Sequence, residues 1–114
     1  MTSKVRTFLV EEGDGKLGRA TKRPAQLVES TVHWRCAWPR NSVADRLREQ
    51  KVYIRAIVGR DGSPSRVDIV NDPTNGFGAA AVACAMRQRY LPARDKDGAP
   101  VDGPTNPFAV VFVR

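Results

Sequence analysis

Cys36 and Cys84 are the two thiols of this 114-residue chain, and His33 is its one imidazole. A thiol becomes a catalytic nucleophile when a base within hydrogen-bond reach takes its proton and a third group orients that base. Cys36 with His33 is the one nominal pair, and no orienting residue stands near it in sequence. A structural zinc site needs a tetrahedral set of closely spaced Cys and His, which two distant cysteines and one histidine do not supply. Two readings of the cysteines stay open. A disulfide would tie the segment before the first helix to the buried side of the second, provided the chain reaches an oxidising compartment; otherwise both are buried thiols. Asp95 and Asp97 are the nearest approach to paired carboxylates, but they sit in a polar loop and read as solvated turn residues. No catalytic residue, cofactor site or metal site is therefore expected, and the chain is not expected to be an enzyme.

Binding chemistry is better represented. Both tryptophans, Trp34 and Trp38, fall in the short run His33-Trp34-Arg35-Cys36-Ala37-Trp38-Pro39. A tryptophan there is either a core anchor closing a sheet or an amphipathic anchor for a partner segment. Trp38 reads as core, while both readings hold for Trp34. The run Phe108-Ala109-Val110-Val111-Phe112-Val113 is apolar on both faces and ends at the chain terminus. Such a strand is a natural sheet edge, and unpaired edge amides and carbonyls are templates for another strand.

The elements that must carry these residues follow from periodicity. Asn41 or Ser42 is suited to cap a short helix over 41–49, with Val43, Ala44 and Leu47 on one face. From Lys51 the period becomes two: Val52, Ile54, Ala56 and Val58 point one way, as in a half-buried strand. Asp61-Gly62 supplies the turn of a hairpin, and the strand returns over 65–71 with Val67 and Ile69 on the core face. Pro73 and Gly76 break that strand. A helix over 77–89 then sets Phe77, Ala80, Ala81, Cys84, Ala85 and Gln88 on one side, and Tyr90-Leu91-Pro92 stops it. Residues 95–107 read as loop, and 108–113 as the last strand. Before all of this, residues 1–31 read as a partly disordered tether, in which Val5, Phe8, Leu9 and Val10 suit one short strand. The folded domain is expected over 32–114.

Composition bounds the rest. A hydrophobic fraction of 41% and a charged fraction of 27% are ordinary for a globular domain. There is room for one core. No stretch approaches the roughly 20 apolar residues needed to cross a bilayer, and the first residues lack the apolar region of a signal peptide. The chain is thus expected to be cytoplasmic, or a domain of a longer, anchored protein. Nineteen Lys and Arg against 12 Asp and Glu give a net charge of +7, which favours anionic partners. The cations are scattered and no aromatic ladder accompanies them, so a nucleic-acid platform is not expected.

Several short signatures occur in order: Trp38-Pro39, Val58-Gly59-Arg60-Asp61-Gly62, Arg87-Gln88-Arg89-Tyr90 with Pro92, and the closing run from Phe108 to Val113. Together they resemble the C-terminal domain of the TonB family, which has an aromatic-Pro pair before its first helix, an Asp-Gly hairpin and an Arg-Tyr-x-Pro helix end. The spelling Cys36-x-Trp38-Pro39 with Cys84-Ala85-Met86-Arg87-Gln88-Arg89-Tyr90 is similar to a two-cysteine branch of that family. Glu49-Gln50 departs from the Gly turn of many members, and these 114 residues contain no membrane-anchor segment or long Pro-rich spacer.

The resemblance implies an α+β fold: a three-stranded antiparallel sheet from about 51–58, 65–71 and 108–113, with helices near 41–49 and 77–89 packed on one face. It implies a periplasmic domain, tethered to the inner membrane in a full-length protein, that contacts TonB-dependent outer-membrane transporters by adding an extended peptide as a strand. Inner-membrane proton-driven motor proteins would be reached through an N-terminal anchor. A weak homodimer through the edge strand is a further partner reading. The residues expected to meet the partner are His33, Trp34, Arg35, Trp38, Phe108, Val110, Val111 and Val113. The alternative is a standalone basic adaptor or nucleic-acid-binding module, favoured by charge alone.

Overall fold

The computed structural model describes residues 22–114, so the short strand expected around Val5 to Val10 lies outside the described residues. The expectation of a three-stranded sheet carrying two helices is overturned. Among the described residues there are eight strands in three sheets and a single α-helix.

The largest sheet has four strands. Its centre is β2 (Glu49–Val58), which pairs antiparallel with β3 (Pro64–Asn71) on one side. On its other side β2 meets two strands in succession: β8 (Phe108–Val113) along residues 49–54 and β7 (Gly103–Pro104) at Ile57 and Val58. The helix α1 (Phe77–Met86) follows β3. Two small sheets complete the chain, one pairing β1 (Gln26–Leu27) with β4 (Tyr90–Leu91), the other pairing β5 (Ala93–Arg94) with β6 (Pro100–Val101).

The helix expected over 41–49 is reduced to a 3-10 turn at Ala44–Arg46. Asn41 does cap it, its Oδ1 accepting from the Ala44 amide at 2.8 Å. Leu47 is already extended, however, and Glu49 and Gln50 pair with Val113 and Phe112. The β8 ladder gains main-chain bonds that a helix with three weakly apolar positions does not match. Residues 95–107, expected as loop, contain β6 and β7. In the stretch expected as a tether, Ala25 is buried and β1 pairs with β4.

Two buried clusters lie beneath the sheet. Val52, Ile54, Phe77, Ala81, Val110 and Phe112 belong to the first; Ala25, Ala56, Val58, Tyr90 and Ala93 form the second. The alternation along β2 explains both, since Val52, Ile54, Ala56 and Val58 are all fully buried. Ile69 departs from expectation: it is 40% exposed beside a bulge, where the β2–β3 register skips one residue between Ile69 and Asn71. The helix ends at Met86 rather than 89, because the Arg87 and Gln88 amides bond three residues back to Cys84 and Ala85, tightening the last turn.

Cys36 and Cys84 form a disulfide, with their Cα atoms 5.4 Å apart. It links the segment before the 3-10 turn to the buried side of α1 across 48 positions. Closing a loop of that length stabilises by about 4 kcal/mol.

Candidate functional site

The direction of each peptide group on β2 fixes what β8 offers outward. Thr105 donates its amide to the Ala56 carbonyl at 2.8 Å, and the Ala56 amide donates to Thr105 Oγ1 at 3.1 Å. Arg114 donates its amide to the Arg48 carbonyl at 3.1 Å. The even-numbered peptide groups of β2 therefore face β7 and β8, and with Val52 opposite Val110 the even-numbered groups of β8 face back. Ala109, Val111 and Val113 consequently turn their N–H and C=O outward, away from the sheet.

One of these outward groups is occupied. The Thr31 hydroxyl, on a 3-10 turn at Thr31–His33, donates to the Ala109 carbonyl at 2.9 Å. Among the described residues no hydrogen bond reaches the outward peptide groups of Val111 and Val113. Their side chains lie on the face of the sheet opposite the core and are 39% and 64% exposed. Tyr53, opposite Ala109, and Lys51, opposite Val111, continue that face. The result is a short open edge bounded by Thr31 at one end and by Arg114 at the other.

The residues expected to meet a partner divide into three groups. Val111 and Val113 stand on the open edge. His33 and Arg35 are exposed on the segment that leads away from the Thr31 turn. The others face inward. Trp34 packs edge to face on Phe108 and Tyr90, with ring centroids 5.7 and 6.5 Å away. Trp38 packs on Phe77 and Phe112, donates its Nε1–H to the Ala44 carbonyl at 2.9 Å, and carries the Arg114 guanidinium 4.2 Å over its ring. Val110 is buried with its peptide group turned to β2, so it has neither a side chain nor a main-chain bond to give. Thr31 was not foreseen, and a lone threonine before an apolar residue carries no signal of its role.

The groups with nominal chemistry are engaged elsewhere. The Cys36 sulfur is bonded to Cys84, so no thiol stands beside His33. Asp95 Oδ1 accepts from the Asp97 and Ala99 amides at 2.9 and 3.0 Å, bracing a turn. Among the described residues no three His, Cys, Asp or Glu gather as a metal set. The Asp68 carboxyl is held below the usual carboxylate range by its hydrogen bond to Arg66 at 2.9 Å, with Arg55 adding to the effect. Burial pushes the Tyr90 hydroxyl up to about 12. Compared with known protein-family models, curated proteins and solved structures, the chain matches none.

Proposed function

We propose that this chain is a non-enzymatic protein-binding domain that receives an extended peptide segment as an added strand on the outer edge of β8. The observation that carries the reading is the pair of outward, unpartnered peptide groups at Val111 and Val113, set beside exposed valine side chains. Main-chain bonds to such an edge supply affinity, and alternate side chains of the incoming segment select it. The TonB resemblance supplies the partner: a segment of a TonB-dependent outer-membrane transporter. It also supplies the place, a periplasmic domain tethered to the inner membrane, where the Cys36–Cys84 bridge is chemically at home.

Two open residues accept few bonds, and a short peptide loses conformational freedom when it pairs. The isolated contact is therefore weak, micromolar or poorer, and tethering raises its effective concentration. In an NMR titration with a peptide of about six residues from a transporter's N-terminal plug region, the Val111 and Val113 amides should shift together. Val111→Pro is the sharper test. Its amide faces away from β2, so proline is tolerated in the fold yet removes a donor from the edge. A folded Val111→Pro protein that binds the peptide as well as the parent does would refute the reading. A contact that weakens by orders of magnitude between about 50 and 200 mM salt would instead favour the basic adaptor or nucleic-acid module.

A further inference from the structure

Arg23 and Arg94 stand directly opposite each other in the main chain. The Arg23 amide donates to the Arg94 carbonyl at 3.1 Å, and the Arg94 amide returns a bond to Arg23 at 2.9 Å. Residues paired in this way project their side chains to the same face, and like charges so placed repel. No ion pair of either guanidinium occurs among the described residues. Arg94 is held in place by donating through Nη1 to the Gly98 carbonyl at 2.7 Å. The Arg23 Nε atom is shut off from solvent and has no partner.

Both arginines line a cleft of about 600 Å³, together with Lys22. Asp95 and Asp102 also line the cleft, but neither is paired with the Arg23 or Arg94 guanidinium among the described residues. Asp95 accepts from two turn amides, and Asp102 accepts from the Arg60 amide at 2.9 Å. Arg55 on the rim reaches instead to Asp68 at 3.4 Å. Between the cations the walls are apolar, formed by Pro24, Val101, Pro104 and Pro107. A site with unspent cationic donors above a rigid apolar wall suits a ligand with both features.

We propose that this cleft binds an oxyanion, a carboxylate or a phosphate monoester, carried on an apolar body. The anion lies between the Arg23 and Arg94 guanidiniums, accepts from their terminal nitrogens and relieves their repulsion, while Lys22 adds charge at the mouth. The apolar body rests on the proline walls. Nothing in this site is shared with the β8 edge, so the two bind independently.

Phenyl phosphate and phenylacetate serve as probes in NMR titrations of the full chain at constant ionic strength, with benzyl alcohol as the neutral counterpart. The anions should shift the amides of Arg23, Ala25, Ala93 and Arg94 saturably, benzyl alcohol should not, and the tighter anion names the preferred oxyanion. Arg23→Gln should weaken that binding at least fivefold and leave peptide pairing at Val111 unchanged. Lys22→Gln, outside the Arg23–Arg94 ladder, should weaken it at least twofold if Arg23→Gln fails to fold. Shifts equal for anion and alcohol, or unchanged affinity in the folded variants, overturn the proposal.

Discussion

The four-stranded sheet has two unlike halves. Along residues 49–54, β2 is flanked by β8, and its buried side chains meet an aromatic trio in mutual edge-to-face contact: Trp38 to Phe77 at 5.2 Å, Phe77 to Phe112 at 5.3 Å and Trp38 to Phe112 at 6.2 Å. Along residues 56–58 the neighbour is the two-residue β7, and the cluster beneath is mostly alanine, valine and one tyrosine. This second half is closed by hydrogen bonds, Thr105 with Ala56, the Tyr90 hydroxyl with Ala85 and the Tyr90 amide with Gly62. One half is held by apolar area and a disulfide, the other by polar contacts from short pieces. Stability should therefore be concentrated in the first half, where large side chains leave water. The second half should respond to changes at single backbone junctions.

Phe112→Ala is the largest expected effect. The residue is 3% exposed and its ring touches both Trp38 and Phe77, so truncation leaves a cavity among side chains anchored by the Cys36–Cys84 bridge. A loss of about 3–5 kcal/mol is expected, read from the urea midpoint under oxidising conditions. A loss below about 1 kcal/mol, the range of surface substitutions, would abolish the distinction between the halves.

In the second half the sharpest point is Gly62. It has φ +87°, and a Cβ built there would lie 2.5 Å from the Tyr90 carbonyl oxygen. Its own carbonyl accepts from the Tyr90 amide at 2.9 Å, so the β2–β3 turn and the start of β4 are locked together at this one residue. Gly62→Ala should cost about 2–4 kcal/mol, from the left-handed backbone and the close approach together. Gly62→Asn separates the two causes, because Asn accepts the backbone angle but still meets the carbonyl. Equal losses in both variants assign the cost to the contact. An Ala variant as stable as the parent would mean that the junction carries no part of the fold.

The same division governs what could be read from the sequence. Val52, Ile54, Ala56 and Val58 alternate over enough residues to show a period, and all four are buried. Asp61-Gly62 was legible as a turn because positive φ has few solutions. The two-residue strands β4 to β7 have no period, and their partners are fixed only by how the chain folds back. The 41–49 segment failed for a related reason: Val43 is 43% exposed, and the pull of β8 on Glu49 and Gln50 is invisible locally. The partner residues were half legible. A strand apolar on both faces has no phase to read, so Val110 stood beside Val111 and Val113 until the register with Val52 separated them. The Arg23–Arg94 pairing, which joins the stretch expected as a tether to the residues just before the expected loop, had no trace in either segment alone.

The smallest effect at neutral pH, and the one that tests the polar half most directly, is at Tyr90. Its ring is 3% exposed, its hydroxyl donates to the Ala85 carbonyl at 2.8 Å, and burial raises its pKa from 10.0 to about 12. A folded pKa above the unfolded one means that the folded state keeps its proton longer. The corresponding stability is thus complete below pH 10 and is lost as pH rises from about 10 to about 12. A difference of about two pKa units corresponds to about 2–3 kcal/mol. Tyr90→Phe removes the hydroxyl, leaves the Ala85 carbonyl without that bond and should cost about 1–2 kcal/mol at pH 8. It also removes the titration, so the variant should fall less steeply with alkali and overtake the parent between pH 10 and 12. Every other group is common to both proteins and cancels in the difference. Urea midpoints at pH 8, 9, 10 and 11 read the two curves, and parallel curves would show that the Tyr90 hydroxyl is not buried in the folded chain.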